Sequence, residues 1–156
     1  MNLADSSKAG RITFDNVELD ADAVIGEVDG GWAPLSRALN VGRAGAAAEL
    51  VGVAAGAAAM TFDYLRTRKQ FGKLIGEFQA LQHRAAHLYG EIEIARAAVL
   101  KAAQMLGSGD DRADLWVSVA KAKAADVASL AAREGIQMHV RDPASRWSRA
   151  RYRPGP

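Results

Sequence analysis

Apolar residues recur at helical spacing in three long runs. Trp32, Leu35, Leu39, Ala46, Leu50, Val53, Ala57, Met60 and Tyr64 fall near every three and a half positions and predict a helix from Trp32 to about Thr67. Phe78, Leu81, Ala85, Leu88, Ile92, Ala95 and Val99 alternate threes and fours, the seam of a bundle, leaving Glu91, Glu93 and Lys101 for the solvent face. That helix is expected to end near Leu106, with Gly107-Ser108-Gly109 as the connection and Asp110 or Asp111 as a cap. The third runs from about Arg112 to His139, with Leu115, Val119, Ala122, Ala125, Leu130 and Ile136 expected to be buried. Short links between long helices predict an all-α, up-down bundle of three helices, incomplete beside the usual four.

The flanks read differently. Residues 1–10 are polar and patternless, and are expected to be unstructured. Ile12, Phe14, Val17 and Leu19 alternate with one slip, which predicts a bulged strand over Arg11–Leu19. Residues 20–31 are acidic and read as a loop, with a short extended piece at Val24-Ile25. A lone strand leaves its ladder groups unpaired, so this one requires a sheet from elsewhere, and the chain is expected to be a piece of something larger. At the other end, Val140–Pro156 mixes arginine and proline with no apolar period and is expected to be disordered. The organisation is then 1–31, the end of a β-domain and linker; 32–139, the bundle; and 140–156, a basic tail.

Glycine modifies the first helix. Gly42, Gly45, Gly52 and Gly56 each cost about 1 kcal/mol against alanine in a helix interior. Their clustering predicts a face that another helix or a ligand approaches closely. Gly52-x-x-x-Gly56 has the spacing of a membrane dimer motif, but Arg43 and Glu49 favour packing in water. The longest charge-free run there, between Glu49 and Asp63, is thirteen residues, short of the ~20 that span a bilayer. No cysteine is present, which excludes disulfides and thiolate metal sites and fits a reducing, cytoplasmic setting.

The net charge of +2 hides an asymmetry: residues 1–30 carry seven acidic against two basic side chains, and residues 141–156 five arginines against one aspartate. A basic tail raises nucleic acid as a partner. Neither a recognition helix nor an aromatic-interleaved sheet accompanies it, so no nucleic-acid role is expected. His83 and His87 stand at metal-ligand spacing, with neither an intervening glutamate of the HExxH kind nor a third ligand.

The chemistry concentrates in Tyr64–Gln82, YLRTRKQFGKLIGEFQALQ, which joins the first two helices. Gly72 and Gly76 break the periodicity, and the segment is expected to turn there without forming a strand hairpin. Glu77 is expected in the first turn of the next helix. Arg66, Arg68, Lys69 and Lys73 with Gln70 and Gln79 make a turn able to hold an anion. A solvated connection is the plainer alternative.

Arg68-x-Gln70-Phe71-Gly72, followed by Glu77-x-Gln79-Ala80, resembles the C-terminal domain of the flavin-dependent acyl-CoA dehydrogenases. The resemblance runs from about Arg11 to His139. It implies that Arg68 reaches the dinucleotide end of an FAD held by a neighbouring subunit, that Gln70 and Phe71 touch the same cofactor, that Gln79 lies near its adenosine part, and that Gln137 contacts its pyrophosphate. It implies acyl-CoA contacts for Asn40 and Arg43, which lie one helical turn apart. The family's Gly-Gly turn after this helix is replaced by Val140-Arg141, and the abrupt change predicts a shifted reading frame or a truncated gene.

The implied reaction removes a proton α to the thioester with a carboxylate while the flavin accepts the β-hydride. That carboxylate is missing by resemblance. Gly42 occupies the position some members give to it, and Glu49 and Glu134 read as exposed helix residues elsewhere. Two readings stay open: a flavoenzyme piece acting with other subunits, one form of it the base-less subunit of a heteromeric enzyme, or a non-catalytic helical dimerisation module.

Overall fold

The structure, a computed structural model, describes residues 9–139. The basic tail and the first eight residues lie outside the described residues. The chain divides into two units, with the boundary between Leu35 and Ser36.

In the first unit the expected strand at Arg11–Leu19 does not form. Ile12, Phe14, Val17 and Leu19 are all exposed, and among the described residues before Trp32 the chain forms a 3-10 helix at Ala21–Ala23 and a turn closed by the Gly30 N–H on the Glu27 carbonyl (3.0 Å). The alternation is real, but a strand exists only against a neighbour that takes its N–H and C=O groups, and no neighbour is described here.

The second unit is the helical bundle. Helix α1 spans Trp32–Thr67, α2 Gln79–Ser108 and α3 Ala113–His139. Their main core joins Ala47, Val51, Ala54 and Ala58 of α1 to Leu88, Ile92, Ala95 and Ala102 of α2 and to Val117, Ala120, Ala124, Val127 and Ala131 of α3. Helices α2 and α3 make the closest approach. Alanine favours it: Ala95 and Ala102 of α2 and Ala120, Ala124 and Ala131 of α3 are buried in that core beside Leu88, Ile92, Val117 and Val127. Two ion pairs also tie these helices: Arg84 to Glu134 through both carboxylate oxygens (2.8 and 3.0 Å), and Lys123 to Glu91. Glu134, read from sequence as an exposed helix residue, is therefore engaged and only 15% exposed.

The α2 seam is the expected one: Leu88, Ile92 and Ala95 are buried and Phe78, Leu81, Ala85 and Val99 half-buried. The α3 seam is so only in part. Leu130 packs against the core and Ala125 is half-buried, but Leu115, Val119, Ala122 and Ile136 are exposed, while Val117, Ala120, Ala124 and Val127 face the core. Helix α1 likewise leaves Leu35, Leu39, Val53 and Met60 exposed. A Cβ added at Gly42, Gly45, Gly52 or Gly56 would meet nothing within 4 Å, so no described residue makes the close approach these glycines predict. By length and composition α1 is long and apolar enough to cross a membrane, which a count of its longest charge-free run does not reveal.

Gly109, at φ +68°, ends α2 two residues later than expected, and Asp110 caps α3 by accepting the Arg112 backbone N–H (2.8 Å). Two further points set up the site. First, the link between α1 and α2 does form a hairpin, contrary to expectation: β1 (Lys69–Gln70) pairs antiparallel with β2 (Lys73–Leu74). Phe71 and Gly72 form its two-residue loop, with φ +51° and +81°, the left-handed pair that suits strand twist. The polar sequence hid it because each strand is only two residues long. Second, Gly76 lies against α1: a Cβ there would stand 2.9 Å from the Leu65 carbonyl oxygen. Glu77 closes a 3-10 turn at Ile75–Glu77 rather than opening α2, and its carboxylate accepts the Leu74 N–H (3.1 Å).

Candidate functional site

The hairpin folds back over the end of the bundle because Leu65, Ile75 and Met138 form a second, small core beneath it, flanked by Phe62, Tyr64, Phe78 and Leu81. Above that core lies an open cleft of about 420 Å³. Its apolar walls are Tyr64, Phe71, Ile75, Phe78, Leu81 and Met138, and its polar groups are Arg68, Gln70 and Gln137.

Four of the five residues assigned to the cofactor by resemblance thus converge on one cleft. Arg68 and Gln70 are in direct contact: with its amide oxygen facing the arginine, Gln70 Oε1 accepts from Arg68 Nη2 (2.6 Å) and Nε (3.2 Å). Phe71, at the loop tip, is 83% exposed; its ring meets the Phe78 ring edge to face at 6.3 Å, and Lys73 Nζ lies 4.2 Å from the centre of the Phe78 ring. Gln137 reaches the cleft from the last turn of α3. Gln79 does not line it: it is exposed at the start of α2.

Sequence reasoning missed Tyr64 and His139 as a unit. The two rings stack at 4.4 Å, and His139 Nδ1 lies 2.6 Å from the Gly135 carbonyl, so buried His139 backs the half-buried Tyr64 ring that forms one wall of the cleft. An aromatic at the end of α1 and another at the end of α3 were the available sign.

Asn40 and Arg43 form a separate cluster. Arg43 Nη1 donates to Asn40 Oδ1 (3.2 Å), and Asn40 Nδ2 donates to Asp114 Oδ1 at the start of α3. Arg43 and Arg68 are about seven turns, roughly 38 Å, apart along α1. The two clusters therefore sit at opposite ends of the bundle. Among the described residues no three His, Asp or Glu side chains gather as a metal site.

The family model "Acyl-CoA dehydrogenase, C-terminal domain" matches residues 29–146. The chain belongs to the acyl-CoA dehydrogenase family. The match continues past His139, where the motif resemblance was expected to stop. The chain is 38% identical over 119 residues to the short/branched chain specific acyl-CoA dehydrogenase of Bos taurus, covering 76% of this chain and 27% of that one. The butyryl-CoA dehydrogenase of Megasphaera elsdenii superposes with a TM-score of 0.77 at 32% identity, over 85% of this chain and 34% of the other. A chain of the ChsE4-ChsE5 complex from Mycobacterium tuberculosis aligns with a TM-score of 0.61 at 31% identity, over 64% and 27%. This acyl-CoA dehydrogenase C-terminal bundle accordingly spans about a third or less of the length of those relatives.

Proposed function

We propose that this chain supplies cofactor contacts and an oligomer surface to an FAD-dependent dehydrogenase that oxidises an acyl-CoA at its α,β carbons. The convergence of Arg68, Gln70, Phe71 and Gln137 on one cleft carries the reading. The cleft fits one end of such a cofactor: a cationic fork for a diphosphate stands beside apolar walls for a ring. Bound FAD would supply the hydride acceptor. The chain's own residues then hold and orient it. Arg68 would meet the diphosphate, Gln70 would orient that guanidinium, Phe71 would offer a ring face, and Gln137 would add an amide. Gln79 stays in the proposal as a contact from the start of α2, outside the cleft.

By the resemblance, the cleft serves a cofactor shared with another subunit, and Asn40 and Arg43, assigned to acyl-CoA, lie roughly 38 Å away along α1. The exposed apolar side chains of α1 and α3 fit burial against such subunits, in the cytoplasm.

Titrating the purified full chain with FAD, alone and co-expressed with an N-terminal partner segment, tests this. A bound flavin spectrum, weakened tenfold or more by Arg68→Ala, is expected. A co-expressed assembly that binds FAD equally well with and without Arg68 overturns the assignment.

A further inference from the structure

Three polar side chains are buried among the described residues: Asn40, Thr61 and His139. Thr61 and His139 each use a carbonyl of their own helix, at Ala57 and Gly135. Asn40, 5% exposed, is different, since both ends of its amide are taken by charged side chains. Its NH2 donates to Asp114, 74 residues away on α3, and its oxygen accepts from Arg43, one turn along α1.

We propose that Asp114 is a positioning residue for Arg43 and acts through the Asn40 amide. The proposal rests on the reading that gives Arg43 to the acyl-CoA. A carboxylate only accepts, so Asp114 can engage only the NH2 end of Asn40. That leaves the carbonyl end facing Arg43, whereas a flipped amide would set oxygen against carboxylate and NH2 against guanidinium. Asp114 stands in the first turn of α3, where the helix start favours a negative charge.

The interposed amide also has an electrostatic consequence. A carboxylate placed directly on Arg43 would offset its charge. A neutral carbonyl orients the guanidinium through one of its five N–H donors and leaves the cation to attract an anionic or carbonyl ligand. Asparagine does this where aspartate would not, because it alone carries a donor and an acceptor at that reach.

The test uses the full chain labelled with 15N, reading the order of the Arg43 Nε–Hε group by NMR relaxation against the exposed Arg37. In the unaltered chain Arg43 is expected to be more ordered than Arg37, and the Asn40 side-chain NH2 protons to exchange slowly. Mobility equal to that of Arg37, or free-amide exchange at Asn40, overturns the proposal without any variant. Asp114→Ala is expected to release Arg43 to the Arg37 level. Asp114→Asn keeps an acceptor oxygen and is expected to retain most of the order. Release by neither variant, or equal release by both, overturns the relay. Acetyl-CoA binding separates the two layers. Arg43→Ala leaving its affinity unchanged would remove the substrate assignment while the relay stands. Weakened binding in Arg43→Ala, with Arg43 order untouched by Asp114→Ala, would keep the assignment and remove the relay.

Discussion

With the Gln70 amide oxygen turned toward it, Arg68 directs two of its nitrogens at that one atom, at 2.6 and 3.2 Å. The contact costs the guanidinium its rotational freedom before any ligand arrives, and it sets the plane in which the remaining donors lie. Arg68→Ala is expected to weaken FAD binding tenfold or more, about 1.4 kcal/mol. Gln70→Ala should weaken it less, about threefold, by loosening the arginine rather than removing it. Flavin absorbance titrations of the assembled protein give both numbers. A larger loss from Gln70 than from Arg68 would reverse their roles.

Gly76 is held by contact and Gly72 by conformation, so alanine should act on them differently. Gly76→Ala drives a methyl group against the Leu65 carbonyl oxygen at 2.9 Å, and neither backbone can yield without moving the hairpin. A loss of about 1–3 kcal/mol is expected in thermal or denaturant unfolding. Gly72→Ala meets no atom within 4 Å and carries only the strain of φ +81°, about 1 kcal/mol. Equal melting temperatures for the two variants would mean that the hairpin does not rest on α1.

Acid should loosen the α2–α3 pair. The hydrogen bond from Lys123, aided by the charges of Lys123 and His87, holds the Glu91 carboxyl below its ordinary value of 4.5 against the opposing effect of burial. Hydrogen bonds from the Arg112 side chain and backbone do the same for Asp110, ordinarily 3.8. A carboxyl with a depressed folded-state pKa favours the fold above its unfolded value and loses that contribution as pH falls through the folded value. Stability is therefore expected to be flat from neutrality to about pH 5 and to decline below it. Glu91→Gln should shrink the decline in melts recorded across that range. An unchanged slope would mean that the pair is not formed in solution.

The exposed apolar side chains on α1 and α3 should drive association. Light scattering on the chain alone is expected to show species larger than a monomer, and Val53→Glu with Met60→Lys should shift the balance toward smaller ones. A monodisperse, folded monomer would show that these faces are content in water.

What could be read from the sequence depended on how one-sided each helix is. The α2 seam was legible because Phe78, Leu81, Leu88 and Ile92 lie on the side that packs. In α3 Leu115, Val119 and Ile136 are exposed, while Val117 and Val127 are buried and Trp116 and Leu130 pack against the core. A helix that is apolar on two sides leaves periodicity no way to choose between them. The site shows the same division. Arg68, Gln70 and Phe71 are neighbours in sequence, so their shared cleft follows from one turn. Asp114 is 74 residues from Asn40, and only the packing of α3 on α1 brings the two together. Asn40 was singled out by the family resemblance; its partner across the bundle carried no local sign.

The length of α1 has a mechanical consequence. One unbroken rod carries Arg43 near its first turns and Arg68 just past its last, roughly 38 Å away. Such a rod works as a lever: a tilt of about three degrees at the hairpin end sweeps the distant guanidinium through about 2 Å, a displacement large enough to matter to a positioned substrate. The shared core at Ala47, Val51, Ala54 and Ala58 is what holds that rod against such a tilt.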